Sequence, residues 1–188
     1  MAEMLLFHHA LGLTDGVKAF AESLRDSGHT VHCPDFYDGR VFADVNEGVA
    51  YAEEVGLLAI MAAGVAVAED LPSGLVYAGF SMGVLPAQKL AQTRPGARGA
   101  LLYHDAIPRE FLDSAWPSVL PLQIHVTEAD PWADHESVRT LAREAEECEL
   151  FIYPGTAHLF ADSSSPEYES DTAALLLSRS LTFLDRVG

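Results

Sequence analysis

Basic residues are scarce in this chain. The 11 Lys and Arg stand against 28 Asp and Glu, and the formal net charge at pH 7 is −17. A surface this acidic repels phosphate backbones and anionic headgroups, so neither nucleic acid nor a membrane is expected as a partner. Cysteine is nearly absent. Cys33 and Cys148 are too few for a disulfide framework and read as free thiols in a reducing compartment. Long apolar runs are missing as well. The longest, 55–68, falls short of the ~20 residues that a bilayer span needs and reads as a buried helix. No basic n-region precedes an apolar stretch at the start, so no signal peptide is expected. Neither Cys-x-x-Cys nor His-Glu-x-x-His occurs, and Gly12 and Gly16 do not form a dinucleotide fingerprint. His8-His9 is a poor chelate, because adjacent strand residues face opposite ways. The expectation is a cytoplasmic protein with no metal and no cofactor that acts on a small molecule. Its oligomeric state stays open.

What the chain does have is enough apolar material for one core. Hydrophobic residues make up 49% of 188, and no repeat, linker or composition shift divides the chain, so residues 1–188 are expected to form one domain. Short apolar runs at 4–8, 30–33, 75–79, 100–103, 122–127 and 150–153 read as strands. Helical stretches at 14–27, 45–69, 82–93, 134–146 and 171–187 lie between and after them. Strands alternating with helices imply a mainly parallel sheet of about six strands with helices on both faces. Thr14-Asp15 is placed to cap the first helix, and Pro34 stops the second strand. In such sheets ligands bind beyond the carboxyl ends of the strands.

The sharpest motif stands at one of those ends. Gly79-Phe80-Ser81-Met82-Gly83 matches the G-x-S-x-G nucleophile elbow, with a strand before it and a helix after it. The turn is tight, and side chains two residues either side of the serine would clash. A serine hydroxyl is a weak nucleophile until a base takes its proton, and the base is oriented by an acid. In elbow folds the chain order is Ser, acid, His. His158, in the turn segment Pro154-Gly155-Thr156-Ala157-His158, is the candidate base. Asp130, a few residues past the strand at 122–127, is the preferred acid, with Glu128 and Asp134 as competitors in the same loop. Acyl transfer also needs donors for a tetrahedral oxyanion. The Met82 backbone N–H is one candidate, and the Ala10 N–H in the loop after the first strand is the second.

Together these segments resemble the dienelactone hydrolase family of α/β-hydrolases. Leu5-Leu6-Phe7-His8-His9-Ala10-Leu11-Gly12-Leu13-Thr14 looks like that family's first strand and loop. His32-Cys33-Pro34-Asp35-Phe36-Tyr37 looks like its second strand followed by Pro-Asp-x-Tyr. The elbow, the Asp130 loop and the His158 segment follow in the family's order. The resemblance implies an α/β-hydrolase fold and a Ser81–His158–Asp130 triad, and the short connection 104–121 leaves no room for a cap domain. The resemblance covers most of the chain, and three departures stand out. The namesake enzymes have cysteine where this chain has Ser81, and a glutamate where it has His9. They hold a substrate carboxylate with arginines, one of them at the position of Asp162. These departures argue against dienelactone as the substrate.

Two function classes follow. One is a serine hydrolase of small esters, lactones or thioesters. The other uses the same pocket without hydrolysis, as a ligand-binding protein, lyase or cyclase. His9 is expected beside Ser81, donating to the substrate or tuning the nucleophile. The connection 104–121 holds at most a short helix around 110–116, so the pocket should be open, with Phe36, Trp116 and Trp132 at its mouth. Cys33 reads as a buried thiol, and His104-Asp105 either lines the pocket or forms a satisfied loop pair. Asp162 near His158 and the net charge should disfavour anionic substrates. Arg109 or Arg40 reaching the site would reverse that.

Overall fold

The computed structural model describes residues 1–112 and 114–188, the Glu110 side chain excepted. Its elements run β1 Glu3–Phe7, α1 Asp15–Asp26, β2 Thr30–His32, α2 Val45–Val55, α3 Leu57–Glu69 and β3 Val76–Phe80. After a 3-10 turn, Ser81–Gly83, come α4 Val84–Thr93, β4 Gly99–Tyr103, α5 Arg109–Leu112, β5 Leu122–Thr127, α6 His135–Glu144, β6 Cys148–Tyr153 and α7 Ser170–Val187. The six strands form one sheet in the order β2-β1-β3-β4-β5-β6, and every pairing is parallel.

Side-chain alternation explains why the sheet is covered on both faces. Met4 and Leu6 of β1 join Val76, Ala78, Leu101 and Tyr103 in a core sealed by α1 and α7. Leu5 and Phe7 point the other way, into a core with Tyr77, Leu102, Ile124 and the apolar stripes of α4 and α6. Strands buried on both sides need continuous apolar runs, as these have. The helices start where short polar side chains can take free amides. Thr14 accepts from the Val17 amide, Asp44 from Asn46 and Glu47, and Asp134 from Glu136 and Ser137. Each such cap stabilises its helix by about 1 kcal/mol.

The strand order reverses beside β1. The chain steps from β1 outward to β2, then returns to place β3 on the other side of β1. Such a reversal opens a crevice at the carboxyl ends of the two neighbouring strands. Here β1 ends at Phe7, which is paired in register with Gly79, one residue before the end of β3. The loop carrying Ala10 and the turn carrying Ser81 therefore leave the sheet side by side.

Two expectations are corrected. The stretch 45–69 is two helices, broken at Gly56 and bent by 78°. The apolar run 55–68 is also not a buried helix. Only Ile60, Gly64 and Ala68 of α3 are buried, while Leu58 is 66% exposed. Those three lie four residues apart, on one stripe facing α4. Among the described residues no single helix is long and apolar enough to cross a membrane. The α2–α3 pair passes by length and composition only when both helices are taken together.

The expected helix around 110–116 is shorter, Arg109–Leu112, and residue 113 lies outside the described residues. The helix after the elbow begins at Val84, because the 3-10 turn occupies the residues before it.

Candidate active site

Ser81 sits at the junction of β3 and the 3-10 turn with φ of 49°. That left-handed conformation costs a non-glycine residue of order 1–3 kcal/mol and persists only where the surroundings enforce it. The two elbow glycines are part of that enforcement. A Cβ on Gly79 would run into the backbone of Gly83, and one on Gly83 would lie 2.7 Å from the His8 carbonyl oxygen. Both clashes are with backbone, which has no room to give. The elbow thus packs directly against the end of β1.

His158 comes to Ser81 through cross-links between the loops after β5 and β6. The Glu128 amide donates to the Tyr153 carbonyl (2.7 Å), the Ala129 amide to the Gly155 carbonyl (3.0 Å) and the Thr127 hydroxyl to the Ala157 carbonyl (3.0 Å). Asp130 and His158 then meet. Their Oδ2 and Nδ1 are 2.7 Å apart, and both residues are buried. A carboxylate accepts only, so Nδ1 carries the proton and Nε2 is left as an acceptor. That nitrogen lies 2.7 Å from Ser81 Oγ, which donates to it. The other oxygen of Asp130 accepts from the Trp132 amide (2.9 Å). The competing carboxylates do other work. Glu128 is exposed, and Asp134 caps α6.

Ala10 and Met82 line the same space. Ala10 N–H makes no hydrogen bond among the described residues. Met82 N–H lies in the first turn of a helix, where no intrahelical acceptor exists. Both residues line a cavity of about 320 Å³ together with Ser81, His158, Asp105 and Trp132. The walls are mainly apolar, and α2 supplies much of one side through Val45, Val49 and Ala52. No Lys or Arg is among the described lining residues.

Other anticipated residues are placed differently. His9 lines the cavity, but both of its ring nitrogens are engaged. Nε2 donates to Asp162 Oδ2 (2.8 Å), and Nδ1 accepts from the Leu11 amide (3.3 Å). It offers a substrate no free donor and instead holds the Ala10 loop in shape. Asp162 is buried and does not face the cavity; it joins His9, Thr14 and Ser164. Phe36 is not at the mouth, because its ring stacks on Phe7 at 5.5 Å. Trp116 is core, with its indole N–H donated to the Leu120 carbonyl (2.9 Å).

Neither arginine reaches the site. Arg109 pairs with Glu144, and Arg40 lies over the Tyr51 ring. Burial pushes the Cys33 thiol up to about 11, so it is not a thiolate nucleophile near neutral pH. Among the described residues no group of three or more His, Cys, Asp or Glu is disposed to hold a metal.

The wall built by α2, which carries no motif, was beyond sequence reasoning. Of the two readings left open for His104-Asp105, a place in the cavity lining is the one Asp105 takes. His104, just before it, has φ of 78°, and its buried ring packs against Phe80 and Phe160 with neither nitrogen hydrogen-bonded among the described residues. Burial holds that imidazole neutral. The strained backbone turns Asp105 to the cavity side.

Comparison with known proteins agrees with this geometry. The dienelactone hydrolase family matches residues 2–188. Among curated proteins no relative matches. Among solved structures, a dienelactone hydrolase candidate from Klebsiella pneumoniae superposes with a TM-score of 0.75 at 15% identity, covering 98% of this chain and 87% of that one. A dienelactone hydrolase-like promiscuous phosphotriesterase from metagenomic libraries gives 0.73 at 19% identity, with 100% and 87% covered. A cold-adapted esterase from an Arctic intertidal metagenomic library gives 0.63 at 16%, with 99% and 83% covered. At these identities the likeness establishes the fold, which is that of the α/β-hydrolases.

Proposed function

Because the chain belongs to the dienelactone hydrolase family and is an ester-type hydrolase, we propose that it cleaves a small ester, lactone or thioester through an acyl-enzyme on Ser81. The observation that carries this reading is the continuous relay from Ser81 Oγ to His158 Nε2 and from Nδ1 to Asp130, with both links at 2.7 Å.

The chemistry follows from the relay. Ser81 Oγ attacks the acyl carbon as its proton passes to His158 Nε2. The buried Asp130 carboxylate steadies the resulting imidazolium through Nδ1–H. The carbonyl oxygen becomes an oxyanion, taken by the Ala10 and Met82 amides; one such donor is typically worth ~10²–10³ in rate. The bond to the leaving group then breaks, and the leaving oxygen or sulfur takes the proton from Nε2. Water repeats the sequence on the acyl-enzyme. His158 accepts its proton and returns it to Ser81 Oγ as the carboxylic acid departs.

A fluorophosphonate probe followed by peptide mapping tests this. We expect a covalent adduct on Ser81 and none in Ser81→Ala, whose ester turnover should fall by roughly 10⁴ or more. Wild-type protein that stays unlabelled, or Ser81→Ala that keeps its turnover, would falsify the mechanism.

A further inference from the structure

The relay leaves one carboxylate in the cavity without a task. Asp105 lines the same space as Ser81 and His158. Its Oδ1 accepts two backbone amides, from Ala106 and from Asp134, each at 2.9 Å. These bonds fix the carboxylate in orientation. Oδ2 has no hydrogen-bond partner among the described residues, although the group is largely buried. Asp105 is not the acid of the relay either, because His158 Nδ1 is already held by Asp130.

Glu53 lines the cavity too, and no Lys or Arg is among the described lining residues, whose imidazoles are those of His9 and His158. Trp132 and Phe111 add exposed aromatic surface to the same walls, 41% and 61% exposed. A cavity lined by both a carboxylate and aromatic side chains is a setting that attracts a cation. The ring quadrupole and the negative charge act together, and the alkyl groups of an ammonium suit apolar walls. A neutral hydroxyl would satisfy Oδ2 but leave the charge uncompensated.

We propose that Asp105 is the specificity-determining residue of the cavity and that the preferred ester carries an ammonium group. The proposal rests on the reading of the cavity as the site of ester cleavage. Asp105 acts only when ionised. Burial pushes its carboxyl up to about 6, against the backbone bonds from Asp134 and Ala106. The titratable groups that bear on it are His158, which favours the ionised form, and Asp134, which disfavours it; Glu53 shares the cavity. A preference due to Asp105 therefore holds above about pH 6 and fades as the pH falls through that value.

The test compares acetylthiocholine with its uncharged isostere, in which carbon replaces the quaternary nitrogen. Both are followed by thiol release. The ratio of their kcat/KM values cancels any effect of pH on the shared hydrolytic machinery, which acts on both. We expect the wild-type ratio to favour the cation about tenfold at pH 8, the size of a partly desolvated cation–aromatic and carboxylate contact. The ratio should fall toward unity below pH 6 and also in Asp105→Asn at pH 8. Asparagine keeps the shape and can still accept the two backbone amides.

Should Asp105→Asn fail to fold, competitive inhibition of the wild type decides. Phenyltrimethylammonium should inhibit, and tert-butylbenzene should do so at least several-fold more weakly. A wild-type ratio at or below one, or a ratio that neither pH nor the substitution moves, overturns the proposal while leaving the serine hydrolase in place. A wild type that cleaves neither thioester and leaves Ser81 unlabelled overturns both.

Discussion

Asp162 illustrates how one residue can be assigned the right neighbourhood and the wrong task. Its position near His158 suggested a charge facing the substrate. In the fold it is buried under four bonds. His9 Nε2–H and the Thr14 hydroxyl reach Oδ2, and the Ser164 amide and hydroxyl reach Oδ1. Burial alone would raise the carboxyl, but the bonds from His9, Ser164 and Thr14 outweigh it and hold it well below the usual carboxylate range. A depressed acid adds stability that is present above its unfolded pKa, ~3.9, and is lost as the pH falls toward its folded value. Asp162→Asn should therefore lower stability at pH 7 by at least about 2 kcal/mol, the worth of one bond to a buried charge. In urea denaturation the gap between wild type and variant should narrow below about pH 4. A gap constant from pH 7 to pH 3 would mean that shape, not charge, is what Asp162 supplies.

At the scale of an element, the break between α2 and α3 matters most to the site. Gly56 has φ of 92° and serves as both the C-cap of α2 and the N-cap of α3. The bend lays α2 along the cavity while α3 runs back against α4. A Cβ there would find open space, its nearest neighbour being the Ala59 Cβ at 4.0 Å. The cost of Gly56→Ala is thus conformational alone, about 1–2 kcal/mol. Thermal melts should show that loss, and KM should rise as the α2 wall shifts, with kcat changed less. An unchanged Tm would mean that the local backbone relaxes out of the left-handed region. The break was hidden because the run 55–68 is apolar on every side. Small alanines fill the outer face of α3, so composition suggested burial where only a stripe is buried.

For the whole molecule the decisive quantities are the sheet order and the charge. The reversal at β1 brings the Ala10 loop and the Ser81 elbow to one crevice. The net charge of −17 gives the molecule as a whole a negative field. Such a field concentrates cations and slows the approach of anions. Raising ionic strength from about 10 mM to about 150 mM shortens the screening length from about 30 to about 8 Å. The kcat/KM for acetylthiocholine should fall several-fold across that range, and the value for the uncharged isostere should hardly move. Equal salt responses for the two would show that the field does not steer this substrate.

Local chemistry was legible along the chain. The alternation of apolar runs and helical stretches, the cap at Thr14, and the elbow around Ser81 all depend on residues a few positions apart. The order serine, acid, histidine could be read too, because each stands just past a strand end. The partners of those residues could not be read. Asp130 and His158 meet across 28 positions, Ser81 and His158 across 77, and His9 and Asp162 across 153. Those distances close only when β5 and β6 pair in register and β1 lies beside β3. The folded sheet also decides which polar groups remain unpaired. It engages both nitrogens of His9 and leaves one oxygen of Asp105 open to the cavity, a difference set by neighbours far away in the chain.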